Sequence, residues 1–128
     1  MTKGIVVLAQ NNETDDYVEQ ACLLAMSLQI HNNVKISLIT DDNVPNEYLN
    51  LFDEIIPIPF GDAAADSEWK VENRWKIYHA SPYDETIVMD TDMLVLQNID
   101  TWWNFLSNYE MYFTSKVLNY RGETANTD

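Results

Sequence analysis

Residues 4–58 alternate short apolar runs with capped, helical stretches, and that alternation leaves the chain few ways to fold. Residues 4–9 (GIVVLA) form a continuous apolar run rich in β-branched residues, the pattern of a buried strand. After a polar loop over 10–14, Asp16 followed by Glu19 fits a helix N-cap with its partner at the third position. Tyr17, Ala21, Leu24, Ala25 and Leu28 then recur at helical spacing until His31-Asn32-Asn33. Residues 35–40 (KISLIT) read as a second strand closed by Asp41-Asp42-Asn43. Residues 45–52 read as a short helix with proline in its first turn, and 54–58 as a strand stopped by Pro57 and Pro59. This order predicts an α/β fold, a mainly parallel sheet flanked by helices.

The second half continues the pattern. Residues 67–79 predict a helix with Val71, Trp75 and Tyr78 on one face, ended by Ser81-Pro82-Tyr83. Residues 86–89 (TIVM) predict a buried strand, and 93–96 (MLVL) another apolar strand. Asp100 can cap a short helix running through Phe105, and 109–114 (YEMYFT) reads as a last strand. The expected organisation is one domain over 1–118 and a polar tail over 119–128. A chain of 128 residues can bury about two-thirds of its unfolded surface, enough for a true core.

The chemistry concentrates where TIVM ends, at Asp90-Thr91-Asp92. Ligands of open α/β sheets bind beyond the carboxyl ends of the strands. Residues 90 and 92 point the same way on an extended backbone, so their carboxylates can share one hard cation, Mn²⁺ or Mg²⁺. Such a cation would bind nucleotide phosphates and neutralise a leaving diphosphate. A bare Asp-x-Asp is common in surface turns. Here the pair falls between two apolar runs, where two close carboxylates would be unfavourable without a cation or a raised pKa.

Charge bears on the partners. Seven basic against 21 acidic residues give a net charge of −14, which repels nucleic acid and also a bare nucleotide diphosphate. Lys70, Arg74 and Lys76 reverse that sign locally, which favours an anion site there over a merely solvated helix face. The single cysteine, Cys22, sits among apolar residues at helical spacing and reads as core, not as a nucleophile. Trp69 and Trp75 read as core, and His31 and His79 lack metal-ligand spacing. The first apolar run is too short for a signal peptide or a membrane span, so a cytoplasmic protein is expected.

Residues 73–100, NRWKIYHASPYDETIVMDTDMLVLQNID, resemble the core of the glycogenin-like family of retaining glycosyltransferases. The shared order is a lysine-bearing helix, a hydrophobic strand, Asp-x-Asp, an apolar run and Asn-Ile-Asp. The likeness extends more weakly over residues 4–114, through the first strand, the polar loop and Asp16-Tyr17. It implies a Rossmann-like GT-A domain that binds a nucleotide-diphosphate sugar, usually UDP-linked, with Mn²⁺, and transfers a hexose. Asp90 and Asp92 would be the metal ligands, with Thr91 between them in the donor site. Ala9, Gln10 and Asn11 would line the base and ribose pocket, Tyr17 would stack on the base, and Lys76 would lie near the diphosphate and sugar. Core packing is the alternative role for Tyr17.

Family members are usually longer, and a later histidine completes their metal site, whereas no histidine follows His79 here. The acceptor-binding segments also lack a counterpart, so a truncated or minimal donor-binding portion is expected. No catalytic residue and no acceptor can be assigned. Two other functions compete. One is a nucleotide-sugar-binding module that lacks the acceptor half and does not catalyse. The other is a haloacid-dehalogenase-type phosphatase, disfavoured because Leu94 stands where that motif carries threonine.

Overall fold

The computed structural model describes residues 2–61 and 73–106. The chain divides into two compact units, Met1–Asn98 and Ile99–Asp128. In the first, strand β1 (Lys3–Leu8) leads to helix α1 (Tyr17–His31), β2 (Lys35–Ile39), a 3-10 helix (Asn46–Leu51) and β3 (Ile55–Ile56). A 3-10 turn (Arg74–Lys76) then runs into α2 (Ile77–Ala80), followed by β4 (Glu85–Met89). The described part of the second unit is a 3-10 turn (Asp100–Trp102) continuing into α3 (Trp103–Leu106). Residues 67–72 of the expected helix, the expected strand over 109–114 and the tail over 119–128 lie outside the described residues.

The strands form one parallel sheet in the order β3-β2-β1-β4. This is the α/β arrangement expected from the alternation. β1 is central, pairing Ile5 with Ile36 on one side and with Ile87 on the other. Its Ile5, Val6 and Val7 have no exposed surface. Val6 clusters with Ile39, Ile58 and α2's Ile77, so this face of the sheet is covered. Ile5 and Val7 point to the opposite face.

α1 starts where its sequence says it should. The Asp16 carboxylate accepts the Glu19 N–H at 3.0 Å, satisfying one of the orphan donors of the first turn. Val18, Ala21, Cys22, Leu24, Ala25 and Leu28 are buried along one stripe. Each fully buried Leu or Val contributes about 1.5–3 kcal/mol, so this stripe, rather than helix propensity, holds α1. Leu24→Ala would remove its centre. Cys22 belongs to the stripe, as expected, and its thiol pKa is pushed up to about 11, first by burial and then by Asp16 and Glu19.

Several expectations change. β3 spans two residues because Pro57 and Pro59 offer no N–H to extend the ladder. The short helix expected over 45–52 is present, as a 3-10 helix over Asn46–Leu51. β4 is not a buried strand: Val88 is 53% exposed, since among the described residues β4 has a strand partner on one side only. Residues 93–96 are not a strand. They run alongside α1, tied by Val95 N–H to Ser27 Oγ at 2.8 Å, with the Asn32 amide donating to Gln97 O at 3.1 Å just beyond. Val95 is buried, while Met93, Leu94 and Leu96 are exposed. No helix among the described residues is long and apolar enough to cross a membrane.

Candidate functional site

Strand order fixes where the chemistry falls. The chain leaves β1 to build β2 and β3 on one side, then returns to place β4 on the other. The carboxyl ends of β1 and β4 are therefore neighbours at the point where the order reverses, the usual ligand crevice of an open α/β sheet. Val7 pairs with Met89 in the last register of that ladder. Ala9-Gln10-Asn11 and Asp90-Thr91-Asp92 follow directly, so two of the expected groups share one sheet edge.

The loop after β1 is anchored on three sides. Ala9 N–H donates to Ile39 O at 3.0 Å, and Asn11 N–H donates to Asp42 Oδ2 at 2.8 Å. Asn11 Oδ1 accepts the Val18 N–H at 3.0 Å, which brings the loop against the first turn of α1. Tyr17, the first residue of α1, is partly buried at this same end. Thr91 Oγ1 donates to Gln20 Oε1 at 3.1 Å, joining the Asp-Thr-Asp turn to α1.

Lys76 is not a solvated helix residue. It is 1% exposed, and its ammonium donates to Asn73 Oδ1 at 2.6 Å and to the carbonyl of Gly61. Among the described residues both acceptors are neutral. Gly61 presents that carbonyl from a left-handed turn, with φ of 62° at Phe60 and 77° at Gly61. Asn73 is fully buried and donates through Nδ2 to Gln10 Oε1 at 2.9 Å. A hydrogen-bonded line thus runs Gly61–Lys76–Asn73–Gln10 and joins two expected site residues, Lys76 and Gln10. Asn73 is the connecting residue that sequence reasoning missed. The sequence signal was available: an asparagine three positions before a lysine lies on the same helical face.

The carboxylates differ from expectation in their setting. Asp90 and Asp92 are both exposed, so burial does not force a cation on them. The Arg74 guanidinium donates to Asp90 Oδ1 and forms an ion pair with it. Their side chains keep 56% and 48% exposure, so water screens the pair and it stabilises the fold by at most about 1 kcal/mol. Among the described residues no group of three or more His, Cys, Asp or Glu side chains comes together. The backbone turns at 91–92 instead of running extended as expected, so it is the ligand type, carboxylate oxygens next to solvent that can complete the coordination, that suits a hard divalent cation.

Trp75, between Arg74 and Lys76, is not core. It is 58% exposed and stacks on Phe60, with ring centroids 6.0 Å apart and planes 3° from parallel. His79 meets both rings edge-on. No protein-family model matches the chain, and no curated protein matches it.

Proposed function

We propose that this chain is the donor-binding portion of a metal-dependent glycosyltransferase of the glycogenin-like type, with a GT-A nucleotide-sugar-binding domain. It binds a nucleotide-diphosphate sugar, UDP-linked, from which a hexose passes to an acceptor. The observation that carries the reading is the β1/β4 switch point, where residues 9–11 and Asp90-Thr91-Asp92 end adjacent parallel strands. Asp90 and Asp92 would hold Mn²⁺ or Mg²⁺. The cation would supply charge neutralisation of the leaving diphosphate.

The chain's own residues do the remaining work. Tyr17 offers a ring at the head of α1 for a base to stack on. Asn11, fixed by Asp42 and Val18, holds the loop that lines the base and ribose. Ala9 and Gln10, buried in the same loop, would line the base and ribose pocket with it. Lys76 sets the position of Gln10 through Asn73 and supplies a positive charge under the site.

Calorimetry of UDP with Mn²⁺ and with chelator tests this function. Binding is expected to depend on Mn²⁺, because the net charge of −14 opposes the bare diphosphate. Asp92→Asn is expected to weaken that dependence without unfolding the chain. Equal affinity with Mn²⁺ and with chelator would overturn the function.

A further inference from the structure

Arg74 is one of two arginines in the chain, and its guanidinium lies on Asp90, the first carboxylate of the pair to which the cation is assigned above. Lys76, two residues on, turns inward to Asn73 and Gly61. The short turn Arg74–Lys76 therefore sends one cation to the carboxylate turn and keeps the other beneath the loops. A carboxylate oxygen bonded to a guanidinium is less available to a metal ion, and the guanidinium also repels an approaching divalent cation. Both effects act in the same direction.

We infer that Arg74 is an intramolecular counter-ion of Asp90 that competes with a divalent cation for that carboxylate. The inference rests on the metal reading of Asp90 and Asp92. It makes Arg74 a positioning residue that sets the threshold for metal loading. In an acidic chain this limits capture of stray divalent cations at a half-exposed carboxylate. The pair is solvent-screened, so the threshold is modest and salt-sensitive.

The test is Mn²⁺ titration of the full chain without nucleotide, read as the loss of the free hexaaqua Mn²⁺ signal in electron paramagnetic resonance. Arg74→Gln is expected to bind Mn²⁺ about two- to fivefold more tightly than the parent at low ionic strength, a range set by the strength of exposed ion pairs. The gap is expected to narrow at high salt. Lys35→Gln removes the same charge from the opposite end of the sheet, at the start of β2, and is expected to match the parent. A second readout follows the Arg74 side-chain N–H signal by nuclear magnetic resonance, assigned by its loss in Arg74→Gln. Mg²⁺ is expected to shift that signal towards that of a freely solvated guanidinium.

Equal Mn²⁺ affinity in parent and Arg74→Gln overturns the counter-ion role and leaves the metal site standing. Equal tightening in Arg74→Gln and Lys35→Gln also overturns it, because the effect would then be one of net charge. No Mn²⁺ binding by any of the three overturns the metal reading itself, and the counter-ion role with it.

Discussion

The Asn73 carboxamide donates to Gln10 Oε1 at 2.9 Å while its own oxygen accepts from the buried Lys76 ammonium at 2.6 Å. One side chain thereby couples the loop after β1 to the turn that begins at Arg74. Asn73→Leu keeps the volume and removes both bonds, leaving polar groups without these partners in the interior. The expected loss is roughly 1–3 kcal/mol, the usual cost of stranding buried donors and acceptors. Urea unfolding checks it, and a loss below about 0.5 kcal/mol, the range of neutral surface changes, would show the contact to be incidental.

Lys76 and Lys35 make a controlled pair. Lys76 is buried and Lys35 is exposed at the start of β2. Lys76→Ala is expected to cost about 2–5 kcal/mol, as truncation of other large buried side chains does. Lys35→Ala is expected to stay within about 0.5 kcal/mol. Comparable unfolding midpoints for both variants would contradict the inward placement of Lys76.

A side chain at Gly4 would meet the Tyr83 ring, because a Cβ built there overlaps its Cε2 and Cζ. That ring is held by its hydroxyl, which meets Ser37 Oγ at 2.7 Å and donates to Asp53 Oδ2 at 3.1 Å. Gly4→Ala is expected to destabilise by about 1–3 kcal/mol through overpacking. In a Tyr83→Ala background the same change is expected to cost much less. A double-mutant cycle measures the difference, and additive effects would argue against the close approach.

Tyr83 also gives the fold an alkaline limit. Burial pushes its pKa from 10.0 up to about 12; the Ser37 bond lowers it and Asp53 and Glu54 raise it. The folded chain therefore favours the neutral phenol. That contribution is complete below pH 10.0, falls as pH rises and is lost through about pH 12. Cys22 acts in the same sense between 9.0 and about 11. Urea midpoints should fall across this window in the parent. Tyr83→Phe should remove the later part of the fall and keep the earlier part, and an unchanged profile would refute the assignment.

What the sequence disclosed was local. The Asp16 cap and the stripe from Ala21 to Leu28 depend on neighbours within a few residues, and both are present. The runs over 4–9 and 35–40 became β1 and β2, because short runs rich in β-branched and apolar residues fit a buried parallel sheet. MLVL misled because an apolar run can be satisfied by a helix flank as well as by a strand. Ser27 and Asn32, more than sixty residues earlier, settle which. In the sequence Lys76 shows only as part of a local positive charge, and its burial becomes visible once Gly61 and Asn73 are seen to enclose its ammonium. Arg74 was visible as a local positive charge, but its partner Asp90 lies 16 residues along the chain, beyond any helical spacing. Trp75 reads as core from its helical spacing, but spacing alone does not say which flank of the helix meets solvent.

The central position of β1 dictates when the switch point comes into being. Thr2 clasps Asp84 through its N–H at 2.9 Å and its hydroxyl at 3.0 Å, across 82 residues of sequence. Contacts of such long range form late and slowly, because the intervening chain must be closed first. On the ribosome β1 meets β2 early, but its other edge stays unpaired until residue 89 has emerged. Until then the strand offers a row of open backbone groups to any passing chain. The loops at 9–11 and 90–92 are therefore brought together by the β1–β4 pairing, and a product ending before β4 is expected to be sticky and to leave the 9–11 loop without its neighbour.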